Sequence, residues 1–314
     1  MTEDIQLAQL VNMDSPDEVL KEGLYILRLI FSDFNTAPVS SAFDKTVNLY
    51  KGEWSGYKGC NTDFHDLRHI TDTFLAMARL IHGAIIDHQA FSENRITLAL
   101  IATLLHDAGY IQKDYDMTGT GAKYTAYHVQ RSMDFLEYHA DEFGLSYQDV
   151  AEGRIMILCT DLAVDISQIA FPSRDVELLG KMLGTADLLA QMADRTYLEK
   201  LLFLYYEFKE AKVGDYESEV DLLRKTIAFY DFIAHRFENT LDATDRFMNS
   251  HFISRWNIHV NLYQEAILRQ KKYLAKILEE QDSDPRRYLK RYGIVERVRE
   301  KYGSIEEIKQ AETM

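Results

Sequence analysis

The chain has 314 residues and a formal net charge of −15, from 35 Lys and Arg against 50 Asp and Glu, with 46% hydrophobic and 27% charged residues. This is the balance of a globular protein with a sizeable core; it excludes wholesale disorder and argues against a broad nucleic-acid or anionic-membrane surface. With 4 Pro and 15 Gly the chain lacks the punctuation of a many-turned sandwich or barrel, and 2 Cys, Cys60 and Cys159, exclude a disulfide scaffold.

Apolar residues at spacings of three and four predict helices over roughly 16–33, 40–50, 66–83, 93–107, 124–143, 147–159, 174–192, 195–210, 217–237, 239–252 and 255–281. Asp14-Ser15-Pro16 reads as a capped helix start with proline in the first turn, and Gly109 as a left-handed helix C-terminus. Residues 113–123, with Gly119 and Gly121, read as the main internal loop, and 211–216 as a shorter one. No repeat or linker divides the chain. The expected fold is therefore all-α, with a single domain over 1–281. Its centre lies at about 60–200, and charged peripheral helices follow over 282–314, where Tyr288, Tyr292, Ile294, Val295, Val298, Tyr302 and Ile305 persist. Met1–Leu10 has no apolar centre, and no apolar run approaches the roughly 18 residues of a bilayer span. The expected location is the cytoplasm.

Three features carry chemistry. Ile96–Leu105 is almost unbroken in its apolarity and should lie centrally; it ends in His106-Asp107. A carboxylate there loses hydration and needs a metal, a cation or several donors in its place, unless it simply caps a neighbouring helix. His65 and His69 stand four apart ahead of an amphipathic helix start, so they can share one helix face. Such a pair can ligate one metal, or divide into a ligand and a proton donor, or be two exposed side chains. Asp187 interrupts an apolar, small-residue helix at Gly184-Thr185-Ala186-Asp187-Leu188, where it is either a ligand or a carboxylate paired with Arg or with backbone. His139, Glu137, Asp87 and His88 read as solvated positions. The aromatic run Phe203, Tyr205, Tyr206, Phe208 reads as packing that could in part wall a pocket.

Taken in order, these segments resemble the HD-domain metal-dependent phosphohydrolases, and within them the class I cyclic-nucleotide phosphodiesterase branch. Phe64-His65-Asp66-Leu67-Arg68-His69 is similar to that branch's Tyr-His-Asn-x-x-His. The apolar helix ending in His106-Asp107, the Leu158-Cys159-Thr160-Asp161-Leu162 segment and Thr185-Ala186-Asp187-Leu188 follow in the family's order over roughly 60–200. The resemblance implies a multi-helix bundle with a central metal site holding one or two divalent ions (Mn, Zn, Fe or Mg). It implies His69, His106, Asp107 and Asp187 as ligands of the first ion and His65 as the general acid. Asp107 would bridge to a second ion held with His128. Asp161 would orient a ligand histidine or cap its own turn.

Arg68, Lys123 and Arg195 are candidate cations for phosphate, and Asn249 stands in place of the family's purine-gripping Gln. Tyr110 occupies the position of a further family histidine, and Asp66 that of the Asn. These departures bear on cyclic-nucleotide specificity more than on phosphoester chemistry. The expected activity is hydrolysis of a small phosphorylated substrate, a nucleotide or similar, by metal-activated water. The expected protein has no nucleic-acid or membrane partner and can form a homodimer. Alternatives are a di-iron HD-type oxygenase, which needs more histidine ligands than this chain supplies, and an idle HD domain that senses nucleotides.

Overall fold

Serine and acidic side chains mark six of the thirteen helix starts, each accepting from a backbone N–H that the first turn leaves without a partner. The computed structural model describes residues 5–280 and 284–312, with side chains through Gly303. The expected boundary at 281/282 and the side chain of Ile305 lie outside the described residues. Thirteen α-helices are described: α1 (Leu7–Leu10), α2 (Pro16–Ile30), α3 (Ala37–Lys51), α4 (Leu67–Ile86), α5 (Glu93–Leu105), α6 (His128–Tyr138), α7 (Tyr147–Leu158), α8 (Arg174–Ala193), α9 (Tyr197–Ala211), α10 (Glu219–His235), α11 (Phe247–Trp256), α12 (Leu262–Glu279) and α13 (Ile294–Glu312). Ser15, Ser92, Ser146, Ser173 and Ser218 cap α2, α5, α7, α8 and α10, and Asp66 caps α4 through His69 N at 2.9 Å. Among the described residues there is no strand, only an isolated bridge between Tyr57 and Lys113.

Two helices fill the centre. In α4 every residue from His69 to Ala84 is buried, and it packs on α2, α5, α8 and α11. The amphipathic start expected at Ile70–Leu75 is thus enclosed on all sides, as a helix between several neighbours must be. Apolar α5 lies beside it, as its composition requires. Close crossings depend on glycine. A Cβ on Gly83 would stand 1.8 Å from the Phe247 carbonyl oxygen of α11, and one on Gly184 2.6 Å from that of Cys159. The small residues before Asp187 therefore let the end of α7 lie against α8.

Three expectations are corrected. The helix expected over 124–143 is broken into a 3-10 segment (Gly121–Tyr127), α6, and a 3-10 turn (Ala140–Phe143). Gly121 lies so close to the Tyr110 carbonyl that a Cβ would meet it at 2.1 Å, and the chain enters α6 only afterwards. The helix expected from 239 starts at Phe247, because Asp242 and Ala243 take positive φ; the next starts at Leu262, after Asn257 ends α11 in the left-handed region. Gly109 does not provide a left-handed cap. It provides room, since a Cβ there would stand 2.0 Å from the His128 carbonyl oxygen.

One continuous apolar core runs from Val11 to Val298 and includes Leu289, Ile294 and Val295 of the charged C-terminal segment. There α13 lies on α9, with Tyr302 stacked on Tyr206 at 3.8 Å and Lys301 bonded to Asp63 at 2.5 Å. Cys60 and Cys159 are free thiols, and no described helix is long and apolar enough to cross a membrane.

Candidate metal centre

The two central helices and α8 bring four side chains to one point. His69 projects from the first turn of α4, and His106 and Asp107 follow the last turn of α5. They offer ligand atoms within 4.8 Å of one another, all buried. Asp187 arrives from mid-α8, its Oδ1 3.1 Å from His69 Nε2 and 3.6 Å from His106 Nε2. Asp107 Oδ2 is 3.5 Å from each of the same two nitrogens, which are 3.3 Å apart. Ligands about 2.0–2.2 Å from a tetrahedral ion stand roughly 3.3–3.6 Å from one another, so these spacings suit one divalent ion.

The donor set fits the same reading. A carbonyl accepts from the Nδ1–H of His106, Thr103 O at 2.7 Å, which leaves its Nε2 lone pair facing the cluster. Among the described residues no Lys or Arg pairs with Asp107 or Asp187, though both carboxylates are largely enclosed. Without a metal the cluster must take its positive charge from protons. Burial opposes protonation of His106, but Asp107 and Asp187 outweigh it and lift its pKa to about 9. Burial likewise works to raise Asp107 and Asp187, and the surrounding imidazoles overcome it and hold both below the usual carboxylate range. Two carboxylates and two imidazoles converging without a lysine or arginine form a site that calls for a cation.

The second oxygen of Asp107 faces elsewhere. Its Oδ1 lies 3.5 Å from His128 Nε2, and His128, the first residue of α6, donates Nδ1–H to Thr125 O at 2.7 Å. Burial holds His128 below its ordinary pKa. Asp107 thus spans from the His69–His106–Asp187 group to His128.

His65 stands just before α4, outside the cluster. Its Nδ1 is 2.7 Å from Glu207 Oε2, and since a carboxylate only accepts, that nitrogen carries the proton. Glu207 Oε1 accepts from the N–H groups of Asp63 and Phe64 at 2.9 and 2.7 Å, which anchors the dyad to the loop before α4. Burial pulls the His65 pKa down, and the Glu207 charge and hydrogen bond carry it back above the ordinary value. Tyr110 stacks on both the His65 and the His128 rings, 4.3 and 4.6 Å from their centroids at 13° and 23°, the two imidazoles being 6.2 Å from each other. Burial drives its hydroxyl well above its usual pKa, so it stays protonated.

Glu207 was not singled out from the sequence. Its signal is a carboxylate on the same face of α9 as Lys200, Phe203 and Leu204, at spacings of seven, four and three, all of which are buried. His139, expected in solvent, is buried in a cage with Trp54, Tyr57 and Phe135, bonded to Tyr57 at 2.8 Å and Glu142 at 3.0 Å. Glu137, Asp87 and His88 are exposed.

The centre opens into a cavity of about 430 Å³. His65, Asp107, Tyr110, His128 and Asp187 line one end. The four residues expected to grip the substrate are not on its wall. Arg68 is held by Asp14, Asp194 and Asp72 and faces a separate small cavity with Arg195, which is exposed. Lys123 is bonded to Asp116 and Thr118, within the loop that precedes α6. Asn249 is exposed on α11, which crosses the C-terminal end of α4 at Gly83 and Asp87, away from His69 in its first turn. For Arg68, adjacency to His69 failed because a helix turns successive side chains in different directions. Asp161 does reach the cavity wall, and its Oδ1 caps its own turn by accepting from Ala163 N at 2.8 Å.

A family model described as Npun_R2479-like matches residues 54–249, which include every residue of the centre and Glu207. No curated protein matches the chain.

Proposed function

The chain belongs to the Npun_R2479-like family, and we propose that it is a metal-dependent phosphohydrolase of HD-domain type that cleaves a small phosphoester. The observation that carries this reading is the convergence of His69, His106, Asp107 and Asp187 beside a separate, carboxylate-held histidine at the same end of one cavity. His69, His106, Asp107 and Asp187 would hold the ion, and Asp107 Oδ1 with His128 would hold a second. A divalent ion supplies positive charge to phosphoryl oxygens and lowers the pKa of a water, the nucleophile for in-line attack.

The protein groups do the rest. Glu207 favours the charged form of His65 and fixes its ring, so that Nε2 would present a proton at the cavity wall. In hydrolysis the bond from phosphorus to the ester oxygen breaks as the water oxygen bonds to phosphorus. The departing alkoxide takes the His65 proton, and a proton of the water passes to solvent. Tyr110 keeps the His65 ring parallel to its own and covers one face of it. Separation of duties supports the assignment: a histidine whose Nδ1 is committed to Glu207 and whose ring stands outside the ligand cluster is available for proton transfer.

The test is metal stoichiometry by elemental analysis, on chain purified without chelator or metal-affinity carryover, beside Asp107→Ala. The expected result is one or two ions per chain, lost in the variant together with phosphoester hydrolysis. Absence of metal after incubation with Mn or Zn refutes the reading, and so does hydrolysis that persists in metal-free Asp107→Ala.

A further inference from the structure

The cavity has two unlike ends. Beyond the metal centre its wall is carbon, contributed by Leu188, Leu201, Leu204, Phe208, Val213 and Phe229 from α8, α9, α10 and the 212–218 connection. Phe208, Val213 and Phe229 are half-buried, so this arm is open at its outer end. Gln191 and Tyr197 add polar groups toward the centre, and Tyr216, stacked on Phe208, adds a hydroxyl in the arm; the other polar groups are engaged. Thr226 donates to Leu222 O at 2.8 Å, and Thr160 to Ile157 O at 2.9 Å. Lys225 is the lysine or arginine of the described lining, and its ammonium is bonded to Asp221 at 2.9 Å and to the Asp215 carbonyl. Asp161 adds a carboxylate near the centre.

We infer that the substrate is the phosphate monoester of an apolar alcohol, its phosphate at the metal centre and its hydrocarbon or aryl body in the arm built by α9 and α10. The inference rests on the phosphohydrolase reading and goes beyond it. A di- or triphosphate would place further charge where the lining offers one already paired lysine. A nucleobase in the arm would set most of its hydrogen-bonding edge against Leu201, Leu204, Phe208, Val213 and Phe229, with the Tyr216 hydroxyl as the polar group the arm offers it. An apolar body removes both itself and the half-buried wall from water, with a gain proportional to the area covered. Arg68 and Lys123, the cations that would favour a polyanion, are committed to carboxylates outside this cavity.

The experiment compares ethyl, butyl and hexyl phosphate with adenosine monophosphate as substrates of the Mn-loaded full chain. It also compares ethyl- with hexylphosphonate as ligands by calorimetry. The expected result is a gain in kcat/KM of about fourfold per methylene, the equivalent of about 0.8 kcal/mol for each group buried. Phe229→Glu, at a half-buried position, should reduce the preference for hexyl over ethyl phosphate at least tenfold. Val213→Glu gives the same reading from a loop, where helix stability is not at issue. Turnover with no trend in chain length, or adenosine monophosphate preferred to hexyl phosphate, overturns the inference and leaves the hydrolase reading standing. If no ester is cleaved with metal bound, the hydrolase reading falls, and phosphonate affinity decides the arm: a rise with chain length retains the apolar ligand, a flat series discards it.

Discussion

Replacing Glu207 by Gln tests the proton donor by itself. Gln is the same size, so its carbonyl oxygen can still accept from Asp63 N and Phe64 N. The charge facing His65 Nδ1 at 2.7 Å is lost. The Gln amide nitrogen, a donor, then faces the protonated Nδ1, so the hydrogen bond to the charged ring is lost outright, about 1.5–3 kcal/mol or roughly one to two pKa units. Burial, the largest influence on His65, then acts with less opposition and drives its pKa down. The charged form of His65 should be at least tenfold scarcer on the alkaline side of its titration. The assay is the pH profile of kcat for an alkyl phosphate and for p-nitrophenyl phosphate, whose leaving group departs without a proton. The alkyl ester should lose at least tenfold at the alkaline end of the profile and recover toward its acid end, while the nitrophenyl ester is little affected and metal content is unchanged. Equal losses on both esters, or an unshifted profile, refute the assignment of His65 and Glu207. Full removal in His65→Ala should cost the alkyl ester about 10²–10⁴-fold.

Other outcomes follow from the same geometry. Gly109→Ala puts a methyl 2.0 Å from the His128 carbonyl, so it should cost about 1–3 kcal/mol in urea unfolding and weaken retention of a second ion, read by elemental analysis. Arg68→Ala and Lys123→Ala should leave KM within about twofold, because neither side chain lines the cavity; a tenfold rise in either would show that the substrate reaches it. Acidification acts through the buried pair His82 and His251, whose Nδ1 atoms are 3.1 Å apart. Burial and the Arg255 charge hold His82 at about 4, and burial also holds His251 well below the ordinary value of about 6.5. The unfolded chain therefore takes up these protons first, so the pair's contribution is present above about pH 6.5 and is lost as pH falls toward 4. The slope is at most about 1.4 kcal/mol per pH unit per histidine. Asp72, Glu199 and Asp245, raised by burial, titrate in the opposite sense. The measure is therefore the difference in urea midpoint between wild type and His82→Asn at pH 7 and 5, and an equal loss in both chains would refute the role of the pair.

The amino-acid sequence alone determined the all-helical class, most helix starts and the central place of Ile96–Leu105, and it flagged His69, His106, Asp107 and Asp187 as polar groups whose role as ligands came only from the resemblance to the HD-domain family. These are local matters: period, capping side chains, and polar groups in apolar runs that need a partner. Only the tertiary structure decided that Asp107 reaches both His106 and His128, that Glu207 stands behind His65 across 142 residues, and that Tyr110 stacks on both the His65 and His128 rings. It also removed Arg68, Lys123, Arg195 and Asn249 from the cavity and enclosed His139. A residue's spacing along one helix gives its face, but what that face meets depends on where a distant helix crosses. Those crossings are set by close approaches such as Gly83 to Phe247, Gly109 to His128 and Gly184 to Cys159, which join segments far apart in the chain.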